Sequence, residues 1–341
     1  MSRTYDVAIA GATGAVGEAL LQILEEREFP VGRLFPLASE RSVDRTVRFR
    51  GEDLRVEGLD DFDFGQVRLG LFSAGASVSE KIAPRAVEAG AVVIDNTSRF
   101  RYDPEVPLVV PECNAERIAD YTRRGIIANP NCSTIQMVVA CKPIQDAVGI
   151  DRINVSTYQS VSGAGRQSME MLTEQSRTIL ANGEIRTGTG AEKVVAFNAV
   201  PKIGPLLESG YTEEEMKMVW ETQKIFEDPD IMVNPTCVRV PVYLGHSEAV
   251  HLETRTKVTV QEVQNMLNSA PGVIVVDGDG PGDYPTATTE AANRDAVFVG
   301  RIREDLSHPR GLDLWVVSDN LRKGAALNSV QIAEILVNEF M

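Results

Sequence analysis

Tyr5-Asp6-Val7-Ala8-Ile9-Ala10-Gly11-Ala12-Thr13-Gly14-Ala15-Val16-Gly17 decides the fold. Its first six residues are a short apolar run that reads as a strand. A glycine loop follows, and then an amphipathic pattern that predicts a helix over 18–28. Strand, glycine loop and helix together are the setting of a dinucleotide-binding turn, where a pyrophosphate rests on the helix N-terminus. Gly11, Thr13, Gly14, Ala15 and Val16 are the residues that would touch it. The glycines are spaced GxxGxxG rather than GxGxxG, so the setting carries the reading more than the triplet does. The plain alternative is a tight βα turn with no ligand.

Outward from this turn, a second strand over 32–38 ends in Ser39-Glu40-Arg41-Ser42. An acidic residue at this point selects NAD through the ribose 2′-hydroxyl; an arginine with hydroxyls accepts the 2′-phosphate of NADP. Ser39, Arg41 and Ser42 point to NADP, while Glu40 and nearby Asp44 pull the other way. A solvated loop is again the plain alternative. Apolar runs at 54–57, 69–73, 91–95, 106–110 and 125–128 predict further strands, and 80–89 has a helical pattern. Alternating strands and helices of this kind predict a doubly wound α/β domain.

Asn129-Pro130-Asn131-Cys132-Ser133-Thr134-Ile135-Gln136 comes next. Pro130 stops whatever precedes it. Ile135, Met137, Val138, Val139 and Ala140 have the apolar density of a buried helix, which puts Cys132 at its start. Unpaired backbone N–H groups there favour a nucleophilic thiolate. The alternative is a small buried residue at a strand-to-helix turn.

Beyond Cys132 the texture changes. Residues 153–161 alternate with period two, Ser162-Gly163-Ala164-Gly165 closes that strand, and 166–182 reads as a helix. A loop is expected over 183–190. Thr212 with Glu215 has capping-box spacing at the head of a helix over 211–226. Strands are expected at 237–242 and 249–258, and a helix at 260–269. An apolar helix over 329–340 is expected to return to the first domain for burial. The expected architecture is α/β: a doubly wound (Rossmann) NADP-binding domain over 1–131, completed by the C-terminal helix 322–341, and a mixed α+β catalytic and dimerisation domain over 132–321. No internal repeat or low-complexity linker interrupts it.

The 341 residues exceed one ordinary core, which agrees with two domains. Lysine and arginine total 34 against 49 acidic residues, a net charge of −15, which argues against nucleic acid and anionic membrane as partners. It also means that an anionic substrate would need a locally positive pocket. No apolar run approaches the length of a membrane span. Four cysteines without CxxC pairing fit a reducing cytoplasm, and three histidines make a multi-histidine metal site an unsuitable expectation.

Several segments resemble the aspartate-β-semialdehyde dehydrogenase family in order and spacing. They are Gly11-Ala12-Thr13-Gly14-Ala15-Val16-Gly17, Asn129-Pro130-Asn131-Cys132-Ser133-Thr134, Gln159-Ser160-Val161-Ser162-Gly163-Ala164-Gly165, Glu214-Glu215-Met216-Lys217, 239–246 and Asp319-Asn320-Leu321-Arg322-Lys323-Gly324-Ala325. The resemblance spans essentially the whole chain. It implies NADPH-dependent reduction of aspartyl phosphate to aspartate semialdehyde and phosphate, in the branch leading to lysine, methionine and threonine, by a homodimer. It implies Cys132 as acyl-enzyme nucleophile and His246 as acid–base group. By the same resemblance Arg101 and Lys217 hold phosphate, and Gln159, Glu214 and Arg239 hold the amino-acid part. Ser162, Gly163 and Asn320 line the nicotinamide side. Val43-Asp44 departs from the small residue and glycine more usual after Arg41-Ser42.

The residue types suit that chemistry. A thiolate attacks an acyl phosphate readily, and the thioester formed accepts hydride more easily than a carboxylate does. Histidine can give and take a proton near neutrality. Arg101, Lys217 and Arg239 would supply the positive pocket that the whole chain lacks. Each residue has a plainer reading: His246 as a turn or core residue, Arg101 as an exposed loop charge, Glu214 and Lys217 as a solvated helix face. The family's nearest rivals are N-acetyl-glutamyl-phosphate reductase and the phosphorylating glyceraldehyde-3-phosphate type. A non-catalytic relative would be marked by loss of the cysteine or histidine, and both are present.

Overall fold

The computed structural model describes residues 3–183 and 193–341, so all of the loop expected over 183–190 except Gly183 lies outside the described residues. The chain divides into two compact units. One takes in residues up to Asn131 together with Gly324–Met341, and the other is Cys132–Lys323.

The first unit is built on a parallel sheet of six strands: β1 (Tyr5–Ala10), β2 (Val31–Ala38), β5 (Glu57–Gly58), β6 (Leu69–Phe72), β7 (Val92–Asp95) and β8 (Ile126–Ala128), in the order β5-β2-β1-β6-β7-β8. The order reverses at β1, so a crevice opens at the carboxyl ends of β1 and β6, the usual place for a dinucleotide. Helix α1 (Ala15–Glu26) starts at Ala15, three residues before the expected 18, because the glycine loop is only four residues long. Its Leu20, Ile23 and Leu24 pack on Val7 and Ile9 of β1. The C-terminal helix α8 (Leu327–Ile335), continued by a wider π-type turn (Leu336–Phe340), joins the same cluster through Leu327, Val330, Ile332, Ala333 and Leu336. Each large aliphatic side chain so buried contributes about 1.5–3 kcal/mol, ample to draw the chain back. Polar ties then fix the helix: Asn328 Nδ2 donates to Val109 O at 2.9 Å and to Asn129 Oδ1 at 2.7 Å, and Tyr5 donates to Val337 O. Helix α2 (Ala76–Glu88) packs against β6 and β7.

Two expectations in this unit need correction. Residues 54–57 are split between β4 (Glu52–Arg55), which forms a hairpin with β3 (Thr46–Phe49), and the edge strand β5. Residues 106–110 do not form a strand; a single bridge links Leu108 to Ala128. Pro107 lies within the segment and Pro111 follows it; beyond the bonds to Ala128, Asn114, in the short helix α3 (Pro111–Asn114), takes two of its backbone groups. The Asn114 side chain accepts from Val110 N–H and donates to Leu108 O, doing what a neighbouring strand would have done.

The second unit holds a mixed six-stranded sheet, β10-β9-β11-β14-β13-β12. Its strands are β9 (Ile150–Gln159), β10 (Met232–Arg239), β11 (His246–Thr254), β12 (Val273–Val275), β13 (Val297–Glu304) and β14 (Gly311–Ser318). Helices α4 (Cys132–Val148), α6 (Glu213–Phe226) and α7 (Val260–Ser269) pack on the sheet, and α5 (Arg166–Asn182) follows β9. Along β11, His246, Glu248, Val250 and Leu252 are buried while Ala249, His251 and Glu253 are open or half-open, so one face looks into the core. Thr212 and Glu215 make the expected capping box on α6. The long strands β13 and β14 lie in a stretch whose alternation the sequence reading left unassigned. Strand β14 runs antiparallel to β11 with Ser318 opposite His246, and so delivers Asp319 and Asn320 beside the histidine.

Candidate active site

Cys132 is the first residue of α4 and His246 the first of β11, 114 positions apart in sequence; their Sγ and Nε2 atoms stand 3.2 Å apart. Gly245 makes that placement of His246 possible. Its φ of +84° suits glycine, and a Cβ there would stand 2.8 Å from Ala287 O. His246 is fully buried, and its pKa is lowered to about 3 by burial first and then by the Arg239 guanidinium, with Glu214 opposing. The ring is therefore neutral at physiological pH. Its tautomer is fixed by Ser160, whose backbone N–H lies 3.1 Å from Nδ1 and can only donate. Nδ1 must accept, so Nε2 carries the proton and directs it at the sulfur.

A closed polar network holds this ring. Asn320 Oδ1 accepts from Gly245 N–H, Ser160 Oγ and Ser162 Oγ at 3.0, 3.0 and 3.1 Å. Ser160 Oγ also approaches Nδ1 at 3.1 Å. The backbone of Gly163 passes over the ring, so that a Cβ would stand 3.5 Å from it and 3.6 Å from Arg239 Nη1. Beside this, Thr157 Oγ1 donates to Gln159 Oε1 at 3.0 Å, Gln159 Nε2 to Glu214 Oε1 at 3.2 Å, and Lys217 Nζ to Glu214 Oε2 at 2.8 Å. Arg239 donates to Ser160 O at 2.6 Å. Burial lowers the Arg239 pKa, opposed by Cys132 and Glu214. Cys132, Gln159, Ser162, Gly163, Glu214, Lys217, Arg239, His246 and Asn320 thus gather in one unit. Glu214 and Lys217 line a partly buried face of α6 rather than a solvated one.

Arg101 belongs to the first unit. It follows β7, is 6% exposed, and donates from Nη2 to Asn96 O at 2.8 Å. Asp95 at the end of β7 accepts from Ser79 Oγ and from Thr97 N–H and Oγ1. In the glycine turn, Gly11 has φ +92°, and a Cβ would come within 3.0 Å of Ser73. No side chain caps the N-terminus of α1. Thr13 Oγ1 lies 3.5 Å from Ser42 Oγ, which joins the glycine turn to the short 3₁₀ turn Glu40–Ser42. The N–H groups of Gly11 and Gly14 are given to Leu37 O and Gly11 O, while half-open Ala15 and Val16 begin the first turn of α1; with exposed Ser39 and Arg41 at the same strand ends, this turn fits an anionic dinucleotide. Among the described residues no group of three or more His, Cys, Asp or Glu is placed to hold a metal, and no helix is long and apolar enough to cross a membrane.

Two family descriptions match: "Semialdehyde dehydrogenase, NAD binding domain" over residues 6–121, and "Semialdehyde dehydrogenase, dimerisation domain" over 141–323. An aspartate-semialdehyde dehydrogenase of Legionella pneumophila is 60% identical over 341 residues, covering 100% of this chain and 98% of its own. Aspartate-semialdehyde dehydrogenase 2 of Vibrio cholerae is 58% identical over 340 residues, with 100% of both chains covered. The crystal structure of a Vibrio cholerae aspartate semialdehyde dehydrogenase II complexed with ASA superposes with a TM-score of 0.96 at 57% identity, over 100% of both chains. The chain belongs to the aspartate-semialdehyde dehydrogenase family. It is thus an oxidoreductase of a family built on a nicotinamide-dinucleotide domain, with a second domain that carries the dimerisation description. Within it, sequence reasoning missed Ser160 and Thr157 as members of the site. The hydroxyl pair Ser160 and Ser162, two apart after Gln159, was the available signal.

Proposed function

We propose that the chain is an NADPH-dependent aspartate-semialdehyde dehydrogenase that reduces aspartyl phosphate through a thioester on Cys132. The observation that carries this reading is the 3.2 Å approach of Cys132 Sγ to a buried, neutral His246 whose Nε2 bears the proton. The sulfur attacks the acyl carbon, a C–S bond forms, the C–O bond to phosphate breaks, and phosphate leaves with the electron pair. His246 keeps its Nε2 proton beside the sulfur and directs it as a hydrogen bond at the oxygen that gains negative charge when hydride adds; the charge returns to the sulfur as the C–S bond breaks and the aldehyde forms. NADPH, when bound, supplies the hydride. Gly11, Thr13, Gly14, Ala15 and Val16 would hold its phosphates, and Ser39, Arg41 and Ser42 the 2′-phosphate. Ser162, Gly163 and Asn320 would serve the nicotinamide side.

Gln159, Glu214 and Arg239 would hold the amino-acid part, with Arg239 offering a fork to the α-carboxylate and Glu214 an anion to the ammonium. Arg101 and Lys217 are assigned to phosphate. The working form would be a homodimer in a reducing cytoplasm. The reverse assay tests the whole reading: aspartate semialdehyde, phosphate and NADP should yield NADPH. Acetylated glutamate semialdehyde should turn over far more slowly, and equal turnover of the two would move the chain to the rival reductase.

A further inference from the structure

Behind the sulfur–imidazole pair stands a second pair that the reaction does not use. Gln136 lies one turn along α4 from Cys132, on the same helix face. Glu248 lies two residues along β11 from His246, on the same strand face. Helix and strand therefore meet in two rungs, Cys132 with His246 and Gln136 with Glu248. Glu248 is wholly buried and Gln136 is 1% exposed. The amide stands near enough to favour ionisation of Glu248 weakly, yet neither amide atom and neither carboxyl oxygen completes a hydrogen bond.

The surroundings do not suit a carboxylate. Thr157 lies directly across from Glu248 on β9, but its hydroxyl is given to Gln159. Across on β14 is Val316. The thiol of Cys237 feels Glu214, Glu215 and Glu248 together, and burial with these carboxyls pushes its pKa up. Burial likewise holds Glu248 well above the ordinary carboxylate range.

We propose that Glu248 and Gln136 close an acid–amide pair and that this pair is a positioning device, seating Cys132 against His246. In it the carboxyl O–H donates to Gln136 Oε1 while Gln136 Nε2 donates to the other carboxyl oxygen. All four polar atoms then have partners and no net charge is buried. An ionised Glu248 would leave Gln136 Oε1 facing a second acceptor. With the lower rung closed, α4 can neither slide nor turn on β11, and the sulfur stays in reach of the ring. The inference rests on Cys132 and His246 being the working pair, so its test reads the proton and the thiol separately from turnover.

The infrared difference between wild type and E248Q at neutral pH should show the C=O stretch of a protonated carboxylic acid, lost in the variant. A carboxylate signal in its place overturns the pair. Glutamine at 248 can make the same two hydrogen bonds, so E248Q should keep the iodoacetamide alkylation rate of Cys132 within about threefold of wild type. E248L, which fills the space without a partner for Gln136, should slow both alkylation and kcat about tenfold or more while leaving KM for phosphate unchanged. A folded E248L that alkylates and turns over like wild type overturns the positioning role, and so does an E248Q that fails to fold. If E248L does not fold, the infrared signal and E248Q still decide. Should the aspartyl substrate prove wrong, alkylation and infrared would report on the pair regardless.

Discussion

On the proposed reading, the glycine turn and the Cys132–His246 cluster solve the same problem, presenting polar groups to a ligand, from opposite materials. In the turn the donors are backbone N–H groups at the open end of α1, and the side chains matter chiefly by being small. In the cluster nearly every group is a buried side chain bonded to another: His246 to Ser160, Ser160 and Ser162 to Asn320, Gln159 to Glu214, Glu214 to Lys217. A backbone site tolerates substitution except where a Cβ collides. A side-chain network behaves as a unit, because removing one member leaves others buried without partners.

Cys132→Ala presses hardest on that difference. Turnover should fall by roughly 10⁴-fold or more, as for loss of a nucleophile elsewhere, while dinucleotide affinity in a fluorescence titration stays as it was. Adding His246→Ala should cost nothing further. A double variant well below the single one would show two independent groups instead of one unit. On the other side, Gly17→Ala places a Cβ 2.2 Å from Gly11 O and 2.7 Å from Ala12 Cα, so α1 must retreat from its own loop. Loss of about 1–3 kcal/mol in urea unfolding is expected. Dinucleotide Kd should rise about tenfold or more, equivalent to about 1.4 kcal/mol. Unchanged affinity would mean the loop is not the phosphate cradle.

The same contrast explains what could be read in advance. The β1–Gly11–α1 turn is legible because its signals are local: an apolar run, three glycines and a helical period within a few residues. Cys132 is legible as a helix start from Pro130 and the apolar run after it. Residues 106–110 misled because Val106, Leu108, Val109 and Val110 have strand composition, while the Asn114 side chain that replaces a partner strand leaves no periodic trace. Strand β13 hides its alternation behind a bulge, with the register shifting between Gly300 and Arg303 and φ +54° at Arg301. His246 is visible as a residue, and the family resemblance singles it out. That its proton sits on Nε2 is not visible, since the Ser160 N–H that decides it comes from the residue after β9, far away in sequence. Nor does a glutamate in a strand announce burial; α4 covering β11 is what buries Glu248.

Protonation offers a smaller lever on the cluster. His246 titrates near 3 when folded and near its ordinary 6.5 when unfolded, so between those values the unfolded chain binds a proton that the folded chain does not. Its contribution to stability is complete above pH 6.5 and is lost as pH falls toward 3. Glu248 has the opposite sign. Its pKa is raised, so its contribution is complete below about 4.5 and declines as pH rises. The two slopes oppose each other above pH 4.5, and the steepest acid loss should fall below it. Unfolding free energies measured at about pH 7, 5.5 and 4 should show a shallower acid limb in His246→Gln than in wild type. Equal slopes would mean that the folded protein carries His246 charged.

The smallest effect is expected where the turn meets the second strand. Ser42 Oγ lies 3.5 Å from Thr13 Oγ1, and Asp44, which would favour NAD, is engaged by Arg55. Both partners of that ion pair are well exposed, so it holds the loop only weakly. If Ser42 serves the 2′-phosphate, Ser42→Ala removes one hydrogen bond to a charged group. KM for NADP should then rise about two- to tenfold, with KM for NAD unmoved. Equal rises for both cofactors would make Ser42 a brace for the Thr13 turn, and no rise for either would leave Arg41 and Ser39 to account for any preference. The ratio of the two constants is therefore the informative quantity, because a slackened loop weakens both dinucleotides alike while a lost phosphate contact weakens only one.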